Sequence, residues 1–340
     1  MRITHYTIYA LIAAVIIAIA TGACSFTRPP APKPQQESAP APGPTEPQAQ
    51  TPQPIPGVPH FDVSKYKSEP AVSVWRADRG YIETMALETY IEGVIAQEME
   101  PDWPLEALRA QAIASRTLTL SAIEAGTIRK LHHADVSTAK EELQAFAPQK
   151  VNDTVRQAVQ STRGKILLYA GGLVNAIYSS HNGQIAATRE ESFPTEITHD
   201  TPYFQPVTDN SNQDAPAAIS SWIVKIPGSE VAQAVGYPGN PGDISILERG
   251  PSGRILYIGA DGHKVYGSEF RKAVGYDRLK STLITSMDYD GANFIFKGLG
   301  WGNGVGMSQW GAHAFAGQGL TGEAIITHYY PGAEIVTLWE

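Results

Sequence analysis

The sequence has one cysteine, Cys24, and a lone thiol excludes both a disulfide framework and a paired-cysteine metal site. Cations are also short: 26 Lys and Arg stand against 34 Asp and Glu, a net charge of −8. A general nucleic-acid binder needs an excess of cations to displace counterions from phosphates, so that class is excluded. After the first 24 residues no apolar run reaches about 18 residues, which excludes further membrane-spanning helices. Charged residues make up only 18% against 42% hydrophobic, which excludes global disorder and leaves enough apolar bulk for a sizeable core.

What is there begins with a targeting segment over residues 1–24. Arg2 supplies a short positive region, Tyr9 to Ala20 an apolar stretch, and Thr21-Gly22-Ala23 the small residues before Cys24. Cleavage before Cys24 would leave a thiol to be lipidated and would tether the chain to a membrane. Thr21 stands where the usual lipobox has a leucine-like residue, so an uncleaved anchor and a plain secreted form stay open. All three readings place the body outside the cytoplasm. Residues 25–60 are a string of Pro, Gln, Ala and Thr that reads as an extended linker with a reach on the order of 3 Å per residue.

Folded sequence is expected over residues 71–340, with a β-rich part at about 200–290. Val72 to Trp75 reads as a first strand. Leu87 to Met99 has helical spacing, and a second helix is expected from Pro104 to about Ala125, stopped by Gly126. Ile166 to Tyr169 and Leu173 to Tyr178 flank Gly171-Gly172 as a hairpin. Ile244 to Leu247 and Ile255 to Ile258 read as strands, Ser268 to Ala273 and Gln309 to Ala316 as short helices. Runs of strands with segregated helices predict an α+β fold: mixed, largely antiparallel sheets with the N-terminal helical pair packed to one side, forming a substrate groove.

Three stretches could carry chemistry. In the second helix, Leu105, Leu108, Ala112, Leu120 and Ile123 form an apolar stripe, and Arg116 falls near its centre. A buried guanidinium requires a carboxylate or several acceptors, whether as a structural ion pair or as part of a site. Glu98, just across the Glu100-Pro101-Asp102-Trp103 turn, is the expected partner. The second stretch, Lys297 to Gly311, alternates glycines between Trp301 and Trp310 without a P-loop lysine or a dinucleotide acidic residue. It is either a tight packing loop or the rim of a sugar-binding groove. The third, Tyr178 to Gln184, gathers Ser179, His181, Asn182 and Gln184 into one turn. It reads as a polar, ligand-lining loop, because no Gly-x-Ser-x-Gly elbow supports a Ser/His nucleophile. His132-His133 with Asp135 is the single cluster of metal-ligating types, without supporting spacing. No metal or cofactor is expected.

Together these stretches resemble the SpoIID/LytB family of sporulation stage II protein D and the amidase-enhancer domain. The likeness is carried by Tyr90 to Met99, Trp103 to Ala112, Ala114 to Thr117, Gly253-Arg254, Gly267 to Arg271, Gly304 to Ala312 and His328 to Gly332. It implies a peptidoglycan lytic transglycosylase that cleaves peptide-stripped (denuded) glycan to 1,6-anhydro-N-acetylmuramic acid ends, with Glu98 as the acid/base. Arg116, Ser179, His181, Asn182, Gln184, Trp301, Asn303, Ser308, Gln309 and Tyr330 are the residues expected to bind substrate. Arg116 would orient Glu98 or bind the glycan, although a close cation lowers a carboxylate pKa, which a general acid does not want. The rival expectation is a non-catalytic wall-binding module that stimulates an N-acetylmuramoyl-L-alanine amidase. Two departures stand out. Some members carry a Cys/His zinc site after the second helix, where residues 133–146 here have no cysteine. The usual Gly-His-Gly of the glycine loop is Gly302-Asn303-Gly304.

Overall fold

The computed structural model describes residues 52–340. Cys24, the apolar leader and most of the linker lie outside the described residues. Strands β1 (Ala71–Arg76) and β2 (Tyr81–Ala86) form an antiparallel hairpin, and β3 (Val136–Ser137) pairs with β1 in parallel. Helices α1 (Leu87–Glu98), α2 (Leu105–Ala125), α3 (Thr127–His132) and α4 (Asp153–Ser161) follow from the hairpin. Strand β4 (Lys165–Tyr169) pairs with β5 (Gly172–Leu173) on one side and with β14 (Glu334–Thr337) on the other, both antiparallel. The two-residue strands β6 (Tyr178–Ser179) and β13 (Met307–Ser308) pair in parallel. Helices α5 (Arg189–Ser192) and α6 (Ala217–Ser220) lead into the β-rich part.

That part has its own apolar cluster, from Trp222 to Phe296. It holds β7 (Ser221–Pro227), α7 (Gly228–Val235), β8 (Ser245–Arg249), β9 (Ile255–Ala260), β10 (His263–Tyr266), α8 (Gly267–Val274), β11 (Ile284–Tyr289) and β12 (Asn293–Leu299). The sheets run β11-β12-β7 and β10-β9-β8, all antiparallel. Helices α9 (Gln309–Gly317) and α10 (Gly322–Tyr329) return the chain to the first cluster. The fold is α+β.

Local chemistry explains the helical pair. Leu87, Tyr90, Ile91, Val94 and Ile95 repeat at helical spacing and are buried. The helix stops at Met99, whose backbone is extended, two residues before Pro101. Pro104 precedes α2, and Gly126 ends it in the left-handed conformation (φ 63°), with its N–H bonded to the Ala122 and Ile123 carbonyls. The small residues of α2 admit close neighbours. At the start of α10, a side chain on Gly322 would crowd Arg109 and the Ala110 backbone.

Packing begins upstream of the expected boundary at Ala71. Ile55, Phe61 and Tyr66 are buried in the main cluster, and the Tyr66 hydroxyl donates to Glu124 Oε1 at 2.7 Å. These bulky residues interrupt the proline-rich composition and give its last part surface to bury, so residues 55–60 belong with the body rather than the linker.

Arg116 is fully buried, yet its carboxylate is Glu88 and not Glu98. Nε and Nη2 bond Glu88 at 3.0 and 2.6 Å, and Nη1 donates to the Lys165 carbonyl at 2.9 Å. Glu88 Oε1 also accepts from the Gly164 N–H (3.1 Å) and the Trp339 indole (3.0 Å). The reason is geometric. A short corner folds α2 back along α1, so a residue deep in α2 meets the start of α1. Ten residues of helix, about 15 Å, separate Glu88 from Glu98. Glu88→Gln should therefore cost about 3–5 kcal/mol by leaving the guanidinium uncompensated. Chemical denaturation of the variant tests this, and replacing both partners with apolar residues of similar size should recover part of the loss.

Candidate functional site

Glu98 is the last residue of α1 and is partly exposed. Its Oε1 accepts the Ala145 backbone N–H at 2.8 Å. Gly93, on the same helix, makes that contact possible. A side chain there would overlap the Phe146 ring, whereas the bare glycine lets the 144–147 segment lie against α1. The Ala147 N–H bonds the Gly93 carbonyl (2.8 Å), and Phe146 stacks on Tyr90 with centroids 5.6 Å apart. Loop, ring and carboxylate are thus placed as one unit.

Beneath Glu98 lies a polar band on an otherwise apolar helix. Gln111, Ser115 and Thr119 recur every four residues on α2 and are completely buried. Gln111 donates to Ser115 Oγ (2.9 Å), and Gln144 to Thr119 Oγ1 (2.9 Å). The Tyr178 hydroxyl donates to Gln144 Oε1 (2.9 Å), and Gln309 reaches Gln111 at 3.5 Å. The Gln309 amide and the Tyr178 hydroxyl also border Glu98 and favour its ionised form. Burial outweighs both, and the Glu98 carboxyl is held above the ordinary glutamate range. The cation that acts on it is Lys140, and only weakly. With Arg116 committed to Glu88, no guanidinium opposes a protonated Glu98.

The glycine loop packs tightly onto the 177–183 turn. Side chains at Gly302, Gly304 and Gly306 would strike Ser179, the Arg254 guanidinium and the Ile177 carbonyl respectively. Ser179 Oγ donates to Asn182 Oδ1 (2.6 Å), and Asn182 Nδ2 to the Gly306 carbonyl (2.9 Å). Ser308 Oγ caps α9 by accepting from the Gly311 N–H (3.1 Å) and also accepts from Asn182 N (3.3 Å). The Tyr330 hydroxyl donates to the Ile177 carbonyl. Ser179, Asn182, Ser308 and Tyr330 are buried and bonded to their neighbours, as is Arg116. All five were expected to touch substrate, and in this structure each is buried with its polar atoms bonded within the fold. His181 is also buried, with Nδ1 accepting from the Gly183 N–H (2.9 Å) and its pKa lowered by desolvation. Of the other expected residues, Gln309 lies beside Glu98, Gln184 is exposed, and Trp301 lies under the Lys280 ammonium, 4.2 Å from the ring centre.

Asn303 lines a cleft of about 600 Å³ between the two apolar clusters, whose walls include Lys140, Arg271 and Lys272. Its Nδ2 donates to the Tyr178 carbonyl (3.4 Å), so the floor of the cleft is tied to the strand that carries the tyrosine beside Glu98. On the other side of Gln309, Trp103 and Trp310 pack with centroids 4.6 Å apart, both partly exposed. In the stretch where a zinc site was considered, His132 bonds Glu142 (2.8 Å) and stacks on Trp75, while Asp135 bonds Ser73 and Arg129. Those side chains do not offer a convergent donor set for zinc. The signal that would have shown the polar band was in the sequence: Gln111, Ser115 and Thr119 share one face of α2.

An α+β body with one half-buried glutamic acid above a polar helix face, linked through Lys140 and the Asn303–Tyr178 contact to a nearby cleft, is the class of site this structure defines. A family model described as stage II sporulation protein (SpoIID) matches residues 76–169, which include Glu98 and the polar band. Stage II sporulation protein D of Bacillus amyloliquefaciens is 27% identical over 286 residues, covering 79% of each chain. An uncharacterised protein of Brachyspira hyodysenteriae is 29% identical over 260 residues, covering 75% of this chain and 68% of its own. The amidase enhancer of Bacillus subtilis is 26% identical over 297 residues, covering 73% of this chain and 40% of its own. These similarities support the likeness to the SpoIID/LytB family.

Two outcomes follow from the carboxyl and its loop. Because burial raises the folded-state pKa of Glu98, its contribution to stability is fully present below the unfolded pKa and is lost as pH rises through the folded one. Glu98→Gln should therefore melt higher than the parent at pH 7, with the difference vanishing below about pH 4; melting curves across pH check this. Gly93→Ala should cost about 1–3 kcal/mol by overpacking Phe146. It should also raise the Glu98 pKa further by drawing the Ala145 N–H away, a shift that NMR titration of that carboxyl would show.

Proposed function

We propose that this chain is a peptidoglycan lytic transglycosylase in which Glu98 is both general acid and general base. The observation that carries the reading is a partly exposed carboxyl whose pKa is raised by burial, with no ion-pair partner among the described residues and with Lys140, a residue of the cleft wall, as the cation acting on it. Protonated Glu98 donates to the glycosidic oxygen as the sugar becomes oxocarbenium-like. The O6 hydroxyl of the same muramic acid then attacks C1 and gives its proton to the Glu98 carboxylate. The proton lost in the first half is regained in the second, and the product is a 1,6-anhydro end. Because the nucleophile is internal, no second carboxylate is needed to activate water. The likeness to stage II sporulation protein D and the amidase enhancer supports a cell-wall-related role, and the leader, Cys24 and the proline-rich linker support an exported body tethered near the wall.

The similarity to an amidase enhancer favours a second reading, a module that binds the wall and stimulates an N-acetylmuramoyl-L-alanine amidase. The two readings divide at Glu98. Wild-type protein incubated with denuded glycan should release anhydro-ended fragments visible by mass spectrometry, and Glu98→Gln should lower the rate by about 10²–10⁴. Release that is undiminished in the variant, or absent from the wild type, would sink the enzymatic reading and leave the module. The wild-type rate should also fall as pH rises through the elevated Glu98 pKa.

A further inference from the structure

The cleft lined by Lys140, the cation that acts on Glu98, contains another cation, one without a counterion among the described residues. Arg271, on α8, is 9% exposed, and Nε and Nη2 donate to the Leu279 and Lys280 carbonyls, both at 2.8 Å. Its Nη1 makes no hydrogen bond among the described residues, and no carboxylate lies within ion-pair distance. The guanidinium lies 4.7 Å from the centre of the Tyr276 ring and lines the cleft. Desolvation lowers its pKa to about 10, so it stays charged at neutral pH. A second buried guanidinium, Arg254, lies close enough for the two charges to repel.

Backbone carbonyls carry only partial charge, so this arrangement leaves a positive potential inside the cleft. Lys140 and Lys272 add to it from the walls. Glu196 and Glu269 also line the cleft and, like Lys140 and Lys272, are exposed, so the rim charges largely offset one another while the uncompensated arginine is buried. The buried, unpaired guanidinium makes a site for an anionic group, and its planar edge suits a carboxylate.

We propose that Arg271, assisted by Lys272 and Lys140, binds the lactyl carboxylate of a muramic acid residue near the cleaved bond, an inference that rests on the glycan-cleaving reading above. Muramic acid carries this group on a 3-O-lactyl ether. In strands that still bear stem peptides the same carbon is a neutral amide with a bulky substituent. The negative charge therefore exists only on stripped strands, and a buried cation that requires it converts peptide removal into a requirement for binding. Lys140 joins the two sites, because it lines the cleft and is also the cation that Glu98 senses.

The test compares denuded strands carrying free lactyl carboxylates with the same strands converted to methylamides. The full-length Glu98→Gln variant is used for equilibrium binding and the wild type for release of anhydro ends. Methylamidation should weaken binding by roughly tenfold, the scale of one charge-assisted hydrogen bond. Lys272→Gln, at an exposed position, and Arg271→Gln should each lower the preference for the free carboxylate. Should Arg271→Gln not fold, Lys272→Gln and the methylamide comparison decide the matter. Equal binding and cleavage of the two strand types, or an undiminished preference in the variants, overturns the subsite while leaving the glycan-cleaving reading intact. If neither strand is bound or cut, the glycan reading fails and the subsite with it.

Discussion

The buried pair of Glu88 and Arg116 fixes the rest of the main cluster. One carboxylate receives the Arg116 guanidinium, the Gly164 N–H and the Trp339 indole, and the guanidinium also takes the Lys165 carbonyl. The first turn of α1, the middle of α2, the start of β4 and the segment after β14 therefore meet at one point. A buried pair of this kind adds little stability over an apolar substitute, but it tolerates few alternative arrangements once its desolvated lone pairs are filled. It sets how α1 lies along α2, and so where the far end of α1 emerges.

Glu98 emerges at that far end, and its chemistry is set by what surrounds it. The Ala145 N–H accounts for one oxygen, neutral amides and a phenol border it, and burial favours the protonated acid. The same logic of close approach recurs in the glycine loop. Absent side chains at Gly302, Gly304 and Gly306 let it rest on Ser179, Arg254 and the Ile177 carbonyl. The buried hydrogen bonds of Ser179, Asn182 and Ser308 then fix the loop against the turn. Several polar residues in this loop pair are buried within the fold, whereas Gln184, Trp301 and Asn303 are among those left accessible.

Much of the fold was legible in the sequence. The two helices, their caps at Pro104 and Gly126, the β4–β5 hairpin and the antiparallel β-rich part follow from apolar period and turn residues. The burial of Arg116 also followed from its place in an apolar stripe. Its partner did not, because period shows which face a residue occupies and not which of two glutamates on the neighbouring helix comes level with it. For the site, Glu98 and Gln309 were legible as neighbours of one groove through family motifs. Gln144 and the role of Gly93 were not, since both depend on a loop folding back onto α1 from about fifty residues away.

By itself the sequence determined the export-type leader and proline-rich tether as expectations, the α+β class, and a glutamic acid at the end of the first helix. These rest on local composition and period, which a linear chain displays directly. Only the tertiary structure decided that Glu98 is free of Arg116 and raised in pKa, that Ser179 and Asn182 of the 177–183 turn are buried and hydrogen-bonded within the fold, and that Arg271 lines the cleft without a counterion among the described residues. Each of those depends on which groups lose water and which charges come within a few ångströms. That is a property of packing between segments distant in sequence, and no local pattern encodes it.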